Sequence, residues 1–208
     1  MTRSSSAVGS AFWSSHGLSV VLCEPQIPGN TGSVIRLTAN AGASLHLIGP
    51  LGFQMDSAAL RRAGLDYASL AHVALWDSLD HFWSGRAGQA SGELVAPYRA
   101  SRGVPDAVNA AEDVPVLSRS SDAPSGRLLA TTAQADVDIW DFDFASGDVL
   151  MFGREADGLP SGVLTDARID QQLAIPMAPG NRSLNLANAV GVVLYEALRQ
   201  CHRRIPPR

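Results

Sequence analysis

The sequence contains no lysine: all sixteen of its cationic residues are arginine. Any phosphate contact it makes must come from guanidinium groups, which suit planar, bidentate recognition, although a genome-wide codon bias would leave the same mark. Twenty acidic residues set the formal net charge at −4. That balance argues against nucleic-acid binding through bulk positive potential and leaves room for a local basic groove. No apolar run approaches the roughly 20 residues that span a bilayer, and residues 1–17 lack the continuous apolar stretch of a secretory leader. A cytoplasmic protein with no membrane association is the expectation. Cys23 and Cys201 form no CxxC pair or Cys/His cluster, and the five histidines are scattered singly, so no metal site is expected. The chain also lacks GxxxxGK[ST], a GxGxxG behind a strand, and GxSxG. Ordinary nucleotide hydrolysis, Rossmann-type binding and serine-hydrolase chemistry thereby lose their main sequence support.

What is present has the composition of a folded domain: 46% hydrophobic and 17% charged over 208 residues. The Ser/Gly-rich residues 1–17 read as a disordered tail, and 18–208 as a single domain. Within it LSVVLCEP, SLHLIGP, LAHVALW, RLLATT, GDVLMFG and QQLAIPM have strand length and apolarity. Between them, NTGSVIRLTANAG has helical spacing at Val34, Leu37, Thr38 and Ala41, with Asn30 or Thr31 as N-cap and Gly42 past its end. MDSAALRRAG, DSLDHFW and GLPSGVL read as further helices, and Leu184 to about Arg203 as the closing one. Residues 85–126 dissolve into Gly, Ser, Ala and Pro and read as a mobile insertion. Strands alternating with helices predict an α/β fold: a mainly parallel sheet with helices on both faces.

In such sheets ligands bind where loops leave the carboxyl ends of strands. Three loops qualify: EPQIPGNTGSVIR (Glu24 to Arg36), GREADGLP (Gly153 to Pro160) and PMAPGNRSLN (Pro176 to Asn185). Each combines glycine for close backbone approach, a helix N-terminus with free N–H groups, and amide, carboxylate or guanidinium side chains. Ser33, Arg36 and Asn40 form a polar line on the first helix, where an arginine could take an anionic substrate or simply face water. Glu155 sits at the sheet's carboxyl edge, where a helix-capping carboxylate explains it equally well. Ser183 is a plausible N-cap, and Asn185 and Asn188, read as two buried amides, need partners that backbone carbonyls could supply.

Taken together, the three loops resemble the three motifs of the knotted SPOUT-class RNA 2′-O-methyltransferases in order and spacing. The residues that carry the resemblance are LCEPQIPGNTGSVIRLTANAG with LHLIGPLGF and LRRAGLDY, then LMFGREADGLP, then IPMAPGNRSLNLANAVGVVLYEA. They are most similar to the small stand-alone enzymes that modify the wobble cytidine or uridine of tRNA, with ribosomal RNA as the alternative substrate and a catalytically silent RNA-binding or assembly protein as the alternative role. The resemblance implies a C-terminal trefoil knot, an exception to the rule against threaded chains, a homodimer that completes the active site, and S-adenosylmethionine as methyl donor. It implies cofactor contacts at Ala130, Thr131, Gly153, Glu155, Ile175, Met177, Ser183 and Leu184. It assigns catalysis to Arg36, Asn30, Glu155, Ser183 and Asn185. Asp157 stands where compact relatives often have a basic residue, and Arg154 where Pro or Ser is usual. Arg86, Arg99, Arg102 and Arg119 are candidate RNA contacts in the insertion.

Overall fold

The computed structural model describes residues 16–54, 72–87, 117–119, 123–181 and 183–203. Through them run β1 (Ser19–Cys23), α1 (Pro28–Ala41), β2 (Ser44–Ile48), β3 (Val73–Trp76), α2 (Leu79–Arg86), β4 (Leu117–Arg119), β5 (Leu128–Thr131), β6 (Val149–Phe152), α3 (Ser161–Leu164), β7 (Gln171–Leu173) and α4 (Leu186–Arg203). The strands form one sheet in the order β4-β3-β2-β1-β6-β5-β7. Every pairing in it is parallel, as the alternation of strand and helix patterns predicts.

Successive side chains of a strand point to opposite faces, and here both faces are apolar. Val20, Leu22, Leu129, Leu150 and Phe152 pack with Val34 and Ile35 of α1 and with Val190, Val193 and Leu194 of α4. Their neighbours Val21, Cys23, Leu128, Ala130, Val149 and Met151 pack with Phe82 and Trp83 of α2 and Val163 of α3. Helices thus cover both faces. On α4, Val190, Val193, Leu194, Ala197, Leu198 and Cys201 recur at helical spacing and are all buried. Each large aliphatic in that stripe stabilises the docked helix by about 1.5–3 kcal/mol.

Local readings were corrected at several points. Helix α1 starts at Pro28 with Ile27 as its N-cap, because proline's fixed φ and missing N–H suit the first helical position. Asn30 and Thr31 therefore lie inside the helix and do not cap it. Gly42, at φ 65, closes the helix as expected, its N–H donating to Ala39. His16 is buried; its ring meets the Ala41 carbonyl at 2.8 Å and accepts from the Leu18 N–H, so order begins before residue 18. The stretch read as an insertion contains β4, paired with β3 from Val73↔Leu117 to Leu75↔Arg119. Arg86 donates to the carbonyls of Pro124 and Gly126, so backbone contacts hold it where an RNA contact was expected. Arg99, Arg102, Arg182 and the helix read over MDSAALRRAG lie outside the described residues.

Two buried polar groups fix the sheet's lower edge and one flank. Asp148, only 1% exposed, receives a two-pronged contact from Arg127 at 2.8 Å on each oxygen and a third bond from the Ala145 N–H. On the other core, His46 accepts from Trp76 Nε1 at 3.1 Å. Burial, helped by the Arg86 charge, lowers its pKa to about 4, so the ring is neutral near pH 7.

Candidate active site

Because β1, β6, β5 and β7 are adjacent and parallel, their carboxyl-end loops emerge side by side. Between the loops after β5, β6 and β7 lies a cavity of about 410 Å³, in the range of small-molecule sites. Thr131, Gly153, Glu155, Ile175, Met177, Ser183 and Leu184, all expected from the motifs, line it. Ala130, also expected there, stands one residue earlier in β5, is fully buried in the core and does not line the cavity. The remaining lining includes Thr132, Gln134, Arg154, Asp157, Leu159 and Leu186.

One chain of hydrogen bonds ties three loops together. The Glu155 carboxylate accepts from the N–H groups of Gln26 and Ile27, at 2.8 and 3.1 Å, and from Asn30 Nδ2 at 3.0 Å. Asn30 in turn accepts from Asn185 Nδ2 at 2.8 Å. Asn185 Oδ1 then receives the N–H groups of Ala187 and Asn188 at the start of α4. Asn185 therefore does the capping expected of Ser183, and Ser183 lines the cavity instead. Asn185 and Asn188 are exposed where burial was expected; Asn185 still has every bond it needs.

Glu155 caps α1 from a distance, in the position where a helix N-terminus favours negative charge. Partial burial pushes its pKa up, but the bonds from Gln26, Asn30 and Ile27 prevail and hold it below the usual glutamate range. A carboxylate so held is an acceptor and a positioner, not a proton donor. Burial, with the Glu24 charge adding to it, raises the nearby Cys23 thiol to about 11, which keeps thiolate chemistry out of the site at neutral pH. The tight shape of the Glu155 loop needs Gly153. A Cβ there would stand 2.0 Å from the carbonyl carbon of Gly158 and 2.1 Å from the Leu159 nitrogen.

Arg36 lies apart from this chain, on the exposed line of α1 with Ser33 and Asn40, and does not line the cavity. Beside it a groove runs between α1 and α4, bordered by Ser33, Leu37, Ala187, Asn188, Gly191 and Val192. The site residues that sequence reasoning missed are backbone donors, Gln26 and Ile27, which leave no side-chain signature. Among the described residues, no group of three His, Cys, Asp or Glu side chains could hold a metal ion.

A family profile described as the SpoU rRNA methylase family matches residues 17–97 and 95–195, which together include all three loops. The chain belongs to the SpoU rRNA methylase family. A tRNA (cytidine(34)-2′-O)-methyltransferase from Aeromonas hydrophila is 40% identical over 183 residues, 88% of this chain and 94% of its own. A solved structure concerned with 2-OH methylation of C/U34 on tRNA aligns over 90% of this chain and 97% of its own, at TM-score 0.68 and 37% identity. The SpoU methyltransferase AviRb from Streptomyces viridochromogenes, solved with AdoMet, aligns over 89% of this chain and 61% of its own, at TM-score 0.65 and 26% identity. In this SpoU-family chain the three-loop network lies at the carboxyl-end edge of the parallel sheet.

Proposed function

We propose that this SpoU protein transfers the methyl group of S-adenosylmethionine to the ribose 2′-hydroxyl of the wobble nucleotide of a tRNA. The observation that carries the reading is the Glu155–Asn30–Asn185 network, which joins the loops around one nucleoside-sized cavity. The cavity's chemistry suits that cofactor. Apolar Phe152, Leu159, Ile175, Leu184 and Leu186 offer walls for an adenine, while among the described lining residues Glu155 and Asp157 outnumber the one cation, Arg154. That sign suits a sulfonium and would repel a pyrophosphate.

The bound cofactor supplies an electrophilic methyl group; the chain supplies alignment, and disposal of one hydroxyl proton. Thr131, Met177, Ser183 and Leu184 hold the cofactor, and Glu155 keeps Asn30 turned toward the reacting end. Asn185 braces the third loop. With a pKa above 12 a guanidinium is a poor literal base, so Arg36 pairs with the neighbouring phosphate and polarises the hydroxyl.

Arg36 stands outside its own chain's cavity, which supports a site completed across a homodimer. Val192, 43% exposed, borders the α1–α4 groove, and Tyr195, 47% exposed, follows it on α4; they supply apolar surface for such a partner. The reading includes the C-terminal trefoil knot implied by the motifs and a cytoplasmic location, consistent with the absence, among the described residues, of any helix long and apolar enough to cross a membrane.

The test is transfer of labelled methyl from S-adenosylmethionine to purified tRNA and, separately, ribosomal RNA, followed by mass spectrometry of the digests. A 2′-O-methyl mark at the wobble position is expected. A mark only on ribosomal RNA would move the substrate, and cofactor binding with no mark on either would favour the assembly-protein alternative. Mixing Arg36→Ala with a cofactor-binding variant should restore roughly a quarter of the sites if each site is shared between two protomers.

A further inference from the structure

Among the described residues Glu24 is the non-glycine residue with a left-handed backbone, at φ 52. Glutamate has neither glycine's freedom nor asparagine's local bonding there, and the conformation persists only where its surroundings over-determine it. Its N–H donates to Ile48 at 2.8 Å and its carbonyl accepts from Gln26 Nε2 at 2.6 Å. So held, its carboxylate reaches across to the second loop, where Oε2 lies 3.3 Å from Arg154 Nη1. The same guanidinium grips Asp157 through both prongs, Nε at 2.8 Å and Nη2 at 2.5 Å. Arg154 also closes its loop through the backbone, donating to Gly158 O at 3.1 Å and accepting from Gly158 N–H at 2.9 Å.

β1 and β6 pair in register from Ser19↔Val149 to Leu22↔Phe152, so Glu24 and Arg154 leave neighbouring strand ends two residues further on. Two cross-links therefore join the same pair of loops. Glu155 accepts from the α1 N-terminus, and Arg154 pairs with Glu24 at the end of β1. The described cavity lining has Arg154 as its one cation, and the two adjacent residues both reach the first loop, Arg154 at Glu24 and Glu155 at Gln26, Ile27 and Asn30. Fixing the first fixes the second.

We propose that Arg154 is a positioning residue: by bridging Glu24 and Asp157 it holds the Gly153–Gly158 loop against the first loop, so that Glu155 and the cofactor wall it carries are set before the cofactor arrives. The inference deepens the methyltransferase reading and rests on it only for the identity of the cofactor. Without the bridge the loop samples open arrangements, and apparent cofactor affinity falls by the fraction of time it is closed.

The test uses calorimetric binding of S-adenosylmethionine to the full chain, backed by hydrogen exchange at the Arg154 and Gly158 amides. Arg154→Ala should weaken binding by about tenfold and speed exchange at both amides, if the loop is closed about one-tenth of the time. Glu24→Gln should act in the same direction, and the double variant should be little worse than Arg154→Ala alone, since both break one link. Arg154→Lys, which keeps charge but loses the fork, should recover only part of the affinity. In the methylation assay, KM for the cofactor should rise more than kcat falls. Unchanged affinity and exchange in Arg154→Ala, or additive effects of the two changes, would overturn the proposal. If Arg154→Ala does not fold, Glu24→Gln carries the same comparison. A wild-type protein that binds the cofactor but methylates no RNA would sink the substrate reading and leave this one standing.

Discussion

Glu155→Gln removes one negative charge from the side chain that joins the first and second loops. The carboxylate now serves three donors, the N–H groups of Gln26 and Ile27 and the amide of Asn30. Glutamine keeps one acceptor oxygen and presents an NH₂ to at least one donor, so a bond is lost and a donor–donor contact created. Bonds to a charged acceptor are worth about 1.5–3 kcal/mol each when buried. The two backbone donors can recover water, whereas Asn30 is 9% exposed and cannot do so fully. The net loss should be about 2–3 kcal/mol, or roughly 5–10 °C in Tm for a domain of this size. Because folding lowers the Glu155 pKa, its stabilisation is present above the ordinary glutamate value and is lost as pH falls through the folded value. Thermal melts of wild type and Glu155→Gln should therefore differ most near neutral pH and converge in acid. Melts that coincide to within about 1 °C at pH 7, a small fraction of the expected shift, would refute the view that this carboxylate holds the loops together.

Other perturbations probe the frame around the site. Gly153→Ala puts a methyl 2.0 Å from the Gly158 backbone; the loop must open, and cofactor affinity measured by calorimetry should fall by at least about tenfold. Asp148→Ala strands Arg127 and the Ala145 N–H beside a buried site. Urea denaturation should show a loss of about 3 kcal/mol, the low end for a broken buried pair because Arg127 reaches solvent. The His46 pKa of about 4 lies below its unfolded value, so stability should drop as pH falls from about 6.5 toward 4, by up to about 3 kcal/mol. His46→Gln should flatten that slope in denaturation curves taken across the window.

The parallel sheet, its two covered faces and the three loops were legible in the sequence because each rests on local patterning: strand-length apolar runs, helical spacing, and glycine beside polar groups. What escaped depended on tertiary partners. β4 is three residues long in Gly- and Pro-rich surroundings and exists because β3 offers it an unpaired edge. Ser183 and Asn185 are both good N-caps on composition, and only the reach to Asn30 selects Asn185. The polar line Ser33, Arg36 and Asn40 was visible, but spacing along one helix does not say that Arg36 lies outside the described cavity lining. Arg154 and Asp157 stand in the sequence as departures from the family pattern, and nothing along the chain says that Arg154 bridges Asp157 to Glu24, 130 residues away.

The bonds of the site span most of the polypeptide: Asn30 meets Glu155 across 125 residues and Asn185 across 155. During synthesis the Asn30 amide meets its first partner when Glu155 has emerged and its second only when Asn185 has followed. Such non-local contacts form late, since loop closure must precede any gain from them. A chain stopped short of Asn185 would keep most of the sheet's strands and lack the brace of the third loop. Cofactor binding is thus a report on complete folding, and a mature protein could be separated from truncated chains by that property alone.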